Sequence, residues 1–452
     1  LALHRVFHNN FSLYKLLFLL ILDGISWTTQ KKSPIVEVAT QRVIHNALNK
    51  GDYPMDNVTI PNQSVICQCL NLLRVSTSRD KVLDYRAQKL FVGSSILLFV
   101  EAQLQQRHSY YEIAEYLEAN KHLQEMLQLE SISPAQLSRK MRQLPTEQLQ
   151  NVFLSLQSQI KELTQHKPGL SAKIGKLELL DATELTLPSI LSKWAYCSRS
   201  NHGVKMHTSL VIVDKDTMYP HKIVATTKDV ADHEVAMHFT VDPDATYVMD
   251  RGYQVYDHFQ YWTENRIKFV ARVKEKSRLP IVKERELPKR KKGFVRDADV
   301  MLPNLSTKLR LIEFTDEKGR LYRLVTNRWD LSAHQIAEVY KNRWQIELFF
   351  KWVKQHIRLV KPHGYTVEAI WNQMYIALIA YSLCLLIRLR LQCKQTMWQL
   401  LRLICIHADH PWSSLMEALW RKPKRTSKGR PKRTGRPPKV PRVSMKPKLI
   451  LV

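Results

Sequence analysis

Cysteine is scarce, with six in 452 residues at positions 67, 69, 197, 384, 393 and 405. Cys67 and Cys69 form a CxC, and no second pair stands at zinc-ribbon spacing. Neither a disulfide framework nor a structural zinc module is expected, and the thiols read as reduced and intracellular. Acid is short relative to base, with 41 Asp and Glu against 69 Lys and Arg and a net charge of +28. A surplus of that size makes nucleic acid the first expected partner, with a very basic soluble protein as the alternative. Long apolar runs are few. Leu16 to Leu22 is too short to span a bilayer, and no convincing small-x-small cleavage site follows it. The uncharged run between Glu368 and Arg388 is long enough for a span. Asn372, Gln373 and Ser382 within it favour a buried core helix, and no membrane partner is expected. An initiator Met is also missing. Residues 1–75, beginning at Leu1, read as a poorly ordered extension, with an over-long reading frame as one source.

What is present is a globular chain, 44% hydrophobic and long enough for two or three domains. Residues 76–165 read as helices. Leu90 to Arg107 forms one buried helix, and the Ser109-YYEIAEYL segment forms a second. Ser133-Pro134-AQLSRKMRQL starts a third with a cap residue and Pro at the first helical position. The last helix carries Arg139, Lys140 and Arg142, so the group suits either a helix-turn-helix-like DNA binder or a plain bundle. After a linker at 165–175 the period changes. Strands are predicted at Lys176-LELLDATEL, Lys205–Val213, His221–Thr227, Thr246-YVMD and Lys268-FVARV, with helical patterns at Asp229–His238 and Gln254–Asn265. Three strands in meander, then strands alternating with helices, make an α/β layer fold. Residues 277–330 interrupt it with a basic run, Lys283 to Lys292, and two strands joined by the turn Asp316-EKGR. The tail at 416–452 is basic and expected to be disordered. From Arg421 onward it holds 13 Lys or Arg and no acid. Its two Gly-Arg-Pro repeats, at Gly429 and Gly435, resemble minor-groove-binding AT-hook cores, and a nonspecific phosphate-binding tail is the alternative.

One stretch carries the chemistry, residues 331–356, LSAHQIAEVYKNRWQIELFFKWVKQH. Ser332 suits a helix cap, and no Pro or Gly follows until Pro362. At about 100° per residue, Tyr340, Arg343, Glu347 and Lys354 would share one face of a continuous helix. Trp344, Ile346, Phe349, Phe350 and Val353 would pack beside or opposite it. A carboxylate there suits a divalent metal, and the cations and phenol suit phosphate. The helix alone reads equally as a structural helix with a charged, solvated face.

The pattern Y-x2-R-x3-E-x6-K, with the local run RWQIELFFKW, resembles the DDE insertion-sequence transposases, in the branch called insertion-sequence family four. The resemblance covers about residues 80–400 and requires two upstream aspartates. Asp181 lies on the first predicted strand and Asp250 ends the fourth, in YVMDRGY. Glu184 competes with Asp181 but faces the other side of a strand. Asp242 and Asp244 compete with Asp250 but flank Pro243 in a turn.

The resemblance implies an RNase H-like catalytic core in two parts, residues 170–276 and 331–415. A β-rich insertion at 277–330 would interrupt it, and a helical DNA-binding domain at 76–165 would precede it. Asp181, Asp250 and Glu347 would be the catalytic, metal-binding triad, holding two Mg2+ (or Mn2+) ions. Tyr340, Arg343 and Lys354 would grip the phosphate backbone, with Arg251 as a further contact. Trp329 would be the stacking platform for a flipped base, and Trp344 would be core. The implied activity is cut-and-paste transposition through a hairpin intermediate, on double-stranded DNA, by a dimer working in the cytoplasm on the nucleoid. The alternatives are a noncatalytic DNA-binding relic of such an enzyme and an RNase H-like nuclease that does not transpose.

Overall fold

The computed structural model describes residues 63–421 apart from 168, 199–200, 288–292, 304 and 357–362. The expectations for residues 1–62, for the end of the basic run at 288–292 and for the tail beyond 421 lie outside the described residues. The described chain belongs to one compact unit that begins at Thr59.

Among the described residues six helices come first: α1 Val65–Asn71, α2 Val92–Leu104, α3 Tyr110–Ala119, α4 Lys121–Leu127, α5 Pro134–Gln143 and α6 Thr146–Thr164. The predicted cap of α5 is present. The Ser133 side chain accepts from the Gln136 N–H while Gln136 reaches back, with Pro134 at the first position. The extension expected at residues 1–75 is corrected at its end. Val65–Leu70 are buried in α1, which is tied to the C-terminal helices by hydrogen bonds from Val65 N to His410 O and Ile66 N to Ala408 O. The segment is short, but its apolar residues find a core 340 residues downstream, which local pattern does not reveal.

Ten strands follow among the described residues: β1 Lys176–Thr186, β2 Tyr196–Ser198, β3 Asn201–Ile212, β4 Met218–Thr227, β5 Ala245–Met249, β6 Lys268–Arg272, β7 Ile281–Glu284, β8 Phe294–Met301, β9 Lys308–Thr315 and β10 Leu321–Thr326. Between β4 and β6 lie α7 Ala236–Phe239 and α8 Tyr256–Glu264, and after β10 come α9 Ala333–Lys341, α10 Trp344–His356, α11 Val367–Leu391, α12 Met397–Ile406 and α13 Trp412–Trp420. The spatial order β4-β3-β1-β5-β6 is a meander joined to two parallel strands, consistent with an RNase H-like core. β10, β9, β8 and β7 continue from β6 in the same sheet. Residues 277–330, expected as a β-rich insertion, hold β7 to β10 and prolong the same sheet, because β10 pairs antiparallel with β6 through Leu324–Arg272 to Thr326–Val270.

One face of the sheet is covered by α8, where Phe259, Trp262 and Phe269 pack together and the Phe259 and Phe269 rings stack at 5.1 Å. α11 is long and apolar enough to cross a membrane, yet 83% of its most apolar window is buried inside the protein. Its polar residues explain how. Asn372 donates to the carbonyls of Met141 (2.9 Å) and Leu144 (2.8 Å), and Ser382 accepts from Gln157 (2.9 Å). These bonds satisfy groups that would be costly to bury alone. They also join α5 and α6 to α11, so these helices share a core with the C-terminal half.

Candidate active site

β1 is buried on both faces as far as Leu180, and from Asp181 onward its burial alternates with exposure. The change falls where β5 stops. Leu180 pairs with Met249, the last residue of β5. Asp181 and Asp250 therefore stand side by side just past the last rung of a parallel pair. The carboxyl ends of parallel strands are where such sheets place ligand sites.

Asp250 caps the short turn Arg251–Tyr253, its Oδ1 accepting from Gly252 N at 2.7 Å. Asp181 Oδ1 accepts from the Ala182 N–H at 2.9 Å. Burial, with the nearby charges of Asp250 and Asp232, pushes the Asp181 carboxyl up to about 7 against the pull of Ala182 N–H and Arg343. The sign of the stability effect follows. The folded state holds this proton more tightly than the unfolded chain does, so ionising Asp181 costs stability. That cost begins near pH 4, grows to about pH 7 and is then constant. Asp181→Asn should raise the Tm of the metal-free protein most at pH 7–8, with the gain shrinking towards pH 4. Differential scanning calorimetry across that range checks it, and a pH-independent gain would contradict the assignment.

The stretch 331–356 is not one helix. α9 ends at Lys341, and α10 begins at Trp344. At the junction Arg343 N bonds to Tyr340 O and Ile346 N to Arg343 O, three-residue spacings that tighten the chain. The single face predicted across the stretch is therefore corrected. Tyr340 is buried, at 5% exposure, with its ring against Tyr322 at 6.0 Å and below the Arg343 guanidinium at 6.0 Å. It backs the arginine. Trp344, expected in the core, is 59% exposed, because the break turns the start of α10 outwards.

Arg343 is the centre of the geometry. Its guanidinium bonds Asp181 Oδ2 at 3.3 Å and also Glu347 Oε1. A strand aspartate and a helix glutamate 166 positions apart are thus bridged by one cation. Lys354 reaches the same end of β1, donating to Glu184 O at 2.9 Å. Arg251 is exposed beside Asp250. Trp329 is half-exposed on the loop before α9, with the Arg285 guanidinium 5.1 Å from its ring centre.

The sequence reading missed two residues here. Asp232, in a short turn before α7, is bonded by Lys205 Nζ at 3.1 Å. Its place near Lys205 and Asp181 depends on the antiparallel pairing of β3 with β4 and with β1, which neither Asp232 nor Lys205 announces locally. As donors, Asp181, Asp250 and Glu347 offer only carboxylate oxygens, the chemistry a hard divalent cation requires. Among the described residues no three His, Cys, Asp or Glu side chains are gathered close enough to hold an ion. Arg343 meets the charge of two of the three carboxylates instead.

Residues 177–383 match the family described as transposase DDE domain. The chain is 33% identical over 218 residues, 46% of its length, to a protein of Sinorhizobium fredii named transposase y4zB, and covers 59% of that protein. It is 30% identical over 253 residues, 55% of its length, to a Geobacillus stearothermophilus protein named transposase for insertion sequence element IS5377, and covers 65% of it. The chain thus spans less than two thirds of either relative.

Proposed function

From the transposase DDE domain carried on residues 177–383, we propose that this chain is a cut-and-paste DNA transposase of insertion-sequence family four. In this reading it binds the inverted-repeat ends of its element, cleaves them and joins the freed 3′-ends to target DNA, working as a dimer because two ends must be handled together. One observation carries the proposal: Asp181 and Asp250 lie beyond the last rung of adjacent parallel strands, with Glu347 tied to Asp181 through Arg343.

Asp181, Asp250 and Glu347 are the residues that would hold Mg2+ or Mn2+. Bound there, two such ions would supply charge stabilisation and an activated oxygen for phosphodiester chemistry. The chain's own groups have separate tasks. Arg343 presents a planar fork suited to a phosphate once it leaves the carboxylates. Lys354 and Arg251 are point contacts on either side of the carboxylates and fix the register of the strand. Trp329, exposed and overlain by Arg285, is placed to stack a base. The N-terminal helices, with basic α5, bind the element's end.

The test is cleavage of labelled DNA carrying the element's own ends, with Mg2+ and with chelator. Cutting at the end only with metal supports the proposal, and a hairpin product supports the route. Binding without cutting under both Mg2+ and Mn2+ would favour the noncatalytic relic. Cutting without joining to target DNA would favour a plain nuclease.

A further inference from the structure

Asp232 stands beside the proposed carboxylate centre without a role in it. Lys205 Nζ is fixed at Asp232 Oδ1 (3.1 Å) and at Val230 O (2.9 Å). His207, fully buried, brings Nδ1 to within 3.7 Å of the same oxygen. Thr226 gives its hydroxyl proton to Thr227 O (3.0 Å), so it accepts from His207 Nε2–H (2.9 Å). Nδ1 is then a lone pair and cannot bond Oδ1. Burial, with Lys205 adding, pushes His207 down to about 4, which keeps the ring neutral. Lys205 therefore holds Oδ1 on one side, and Oδ2 turns towards Gly252.

Gly252 separates Asp232 from Asp250. A Cβ built there would lie 3.0 Å from Asp250 Oδ1 and 3.3 Å from Asp232 Oδ2. No left-handed backbone demands this glycine. Its missing side chain leaves open a space the size of one methyl group between two carboxylates. The next residue in the chain adds a buried donor. The Tyr253 hydroxyl is fully buried, has no hydrogen-bond partner among the described residues, and lies within the charge field of Asp181, Asp232 and Asp250. A buried donor without an acceptor is costly unless something completes it.

We propose that Asp232, held by Lys205 and faced across the Gly252 gap by Asp250, is a fourth carboxylate of the centre, a positioning residue that fixes the water shell of a divalent cation carried by Asp250. The inference rests on the metal-dependent reading above. The Gly252 gap admits a water, and Asp232 Oδ2 accepts from it across from Asp250 Oδ1. Removing such an outer partner ordinarily costs about 10–100-fold in metal affinity.

The experiment measures free Mn2+ by electron paramagnetic resonance during titration of the full-length chain, with circular dichroism as the folding control. Asp232→Asn should weaken Mn2+ binding by at least about tenfold without abolishing it. Gly252→Ala, which leaves the Lys205–Asp232 pair intact, should weaken it similarly by closing the gap. The double variant should be no worse than the poorer single one, since both act on one water. Asp250→Asn should abolish the site. If Asp250→Asn abolishes binding while the Gly252→Ala chain and any folded Asp232→Asn chain stay within about twofold of wild type, the fourth-carboxylate role is overturned and the metal reading stands. If wild type shows no Mn2+ site that Asp250→Asn removes, both fall. Should Asp232→Asn fail to fold, Gly252→Ala decides alone.

Discussion

Glu347→Gln should lower end cleavage by about 10³-fold or more while leaving binding to the same DNA within a few-fold. The substitution removes a charge and keeps the shape. A catalytic carboxylate acts through charge at the point where the reaction develops it, and losses of such groups run to about three or more powers of ten. DNA affinity rests instead on phosphate contacts spread over the basic surface, and Glu347 makes none of them. The amide also stays in hydrogen-bond range of Arg343, so the helix start should survive. Asp181→Asn should behave alike, because both carboxylates meet the same guanidinium. Gel-resolved single-turnover cleavage and a mobility-shift assay on one preparation separate the two quantities. A parallel fall in binding and cleavage would place Glu347 in the fold rather than in the chemistry.

Arg343→Ala should move two measurements in opposite directions. The guanidinium is a competitor for the carboxylates, since it neutralises Asp181 and Glu347 at once. Without it, Asp181 and Glu347 lose their shared counter-cation, and above about pH 7, where Asp181 gives up its proton, a divalent cation meets a stronger field. Mn2+ affinity should rise roughly tenfold, the size of one adjacent charge in a partly screened site. Cleavage should nevertheless fall by about 10²-fold, because the phosphate loses its forked partner. Arg343→Lys should recover little, as an ammonium cannot make the two-pronged contact. Titration of Mn2+ beside cleavage rates at saturating metal checks both signs. Loss of both affinity and cleavage would make Arg343 a structural brace.

The order of strands was legible in the sequence because β1, β3 and β4 alternate or run apolar within bounds set by turns such as Asp214–Asp216. The nearness of Asp181 to Asp250 followed from the RNase H-like sheet that the resemblance implies, in which the first and fourth strands are neighbours. The break between α9 and α10 was not legible. Asn342 and Arg343 are tolerable inside a helix, and only the reach of Arg343 to a strand explains the turn. The same break hid the exposure of Trp344 and the burial of Tyr340. Strands β9 and β10 were legible as β-structure while β7 and β8 were not, and the place of all four in the main sheet depends on the pairing of β6 with β10, which is a long-range register. Asp232 falls within the helical pattern Asp229–His238, where nothing local marks it. Its meaning came from Lys205 and Gly252, which are distant in sequence and join only across folded strands.

The most direct test of the account replaces a carboxylate ligand by a soft one. Asp250→Cys is assayed for end cleavage with Mg2+ and with Mn2+, beside wild type and Asp250→Asn. A thiolate is a poor ligand for Mg2+ and a tolerable one for Mn2+. The account predicts an Asp250→Cys chain that is folded, binds the DNA ends, is silent with Mg2+ and regains measurable cleavage with Mn2+, while Asp250→Asn stays silent with both. Undiminished cleavage by Asp250→Cys in Mg2+ would contradict the assignment of Asp250 as a metal-holding catalytic residue.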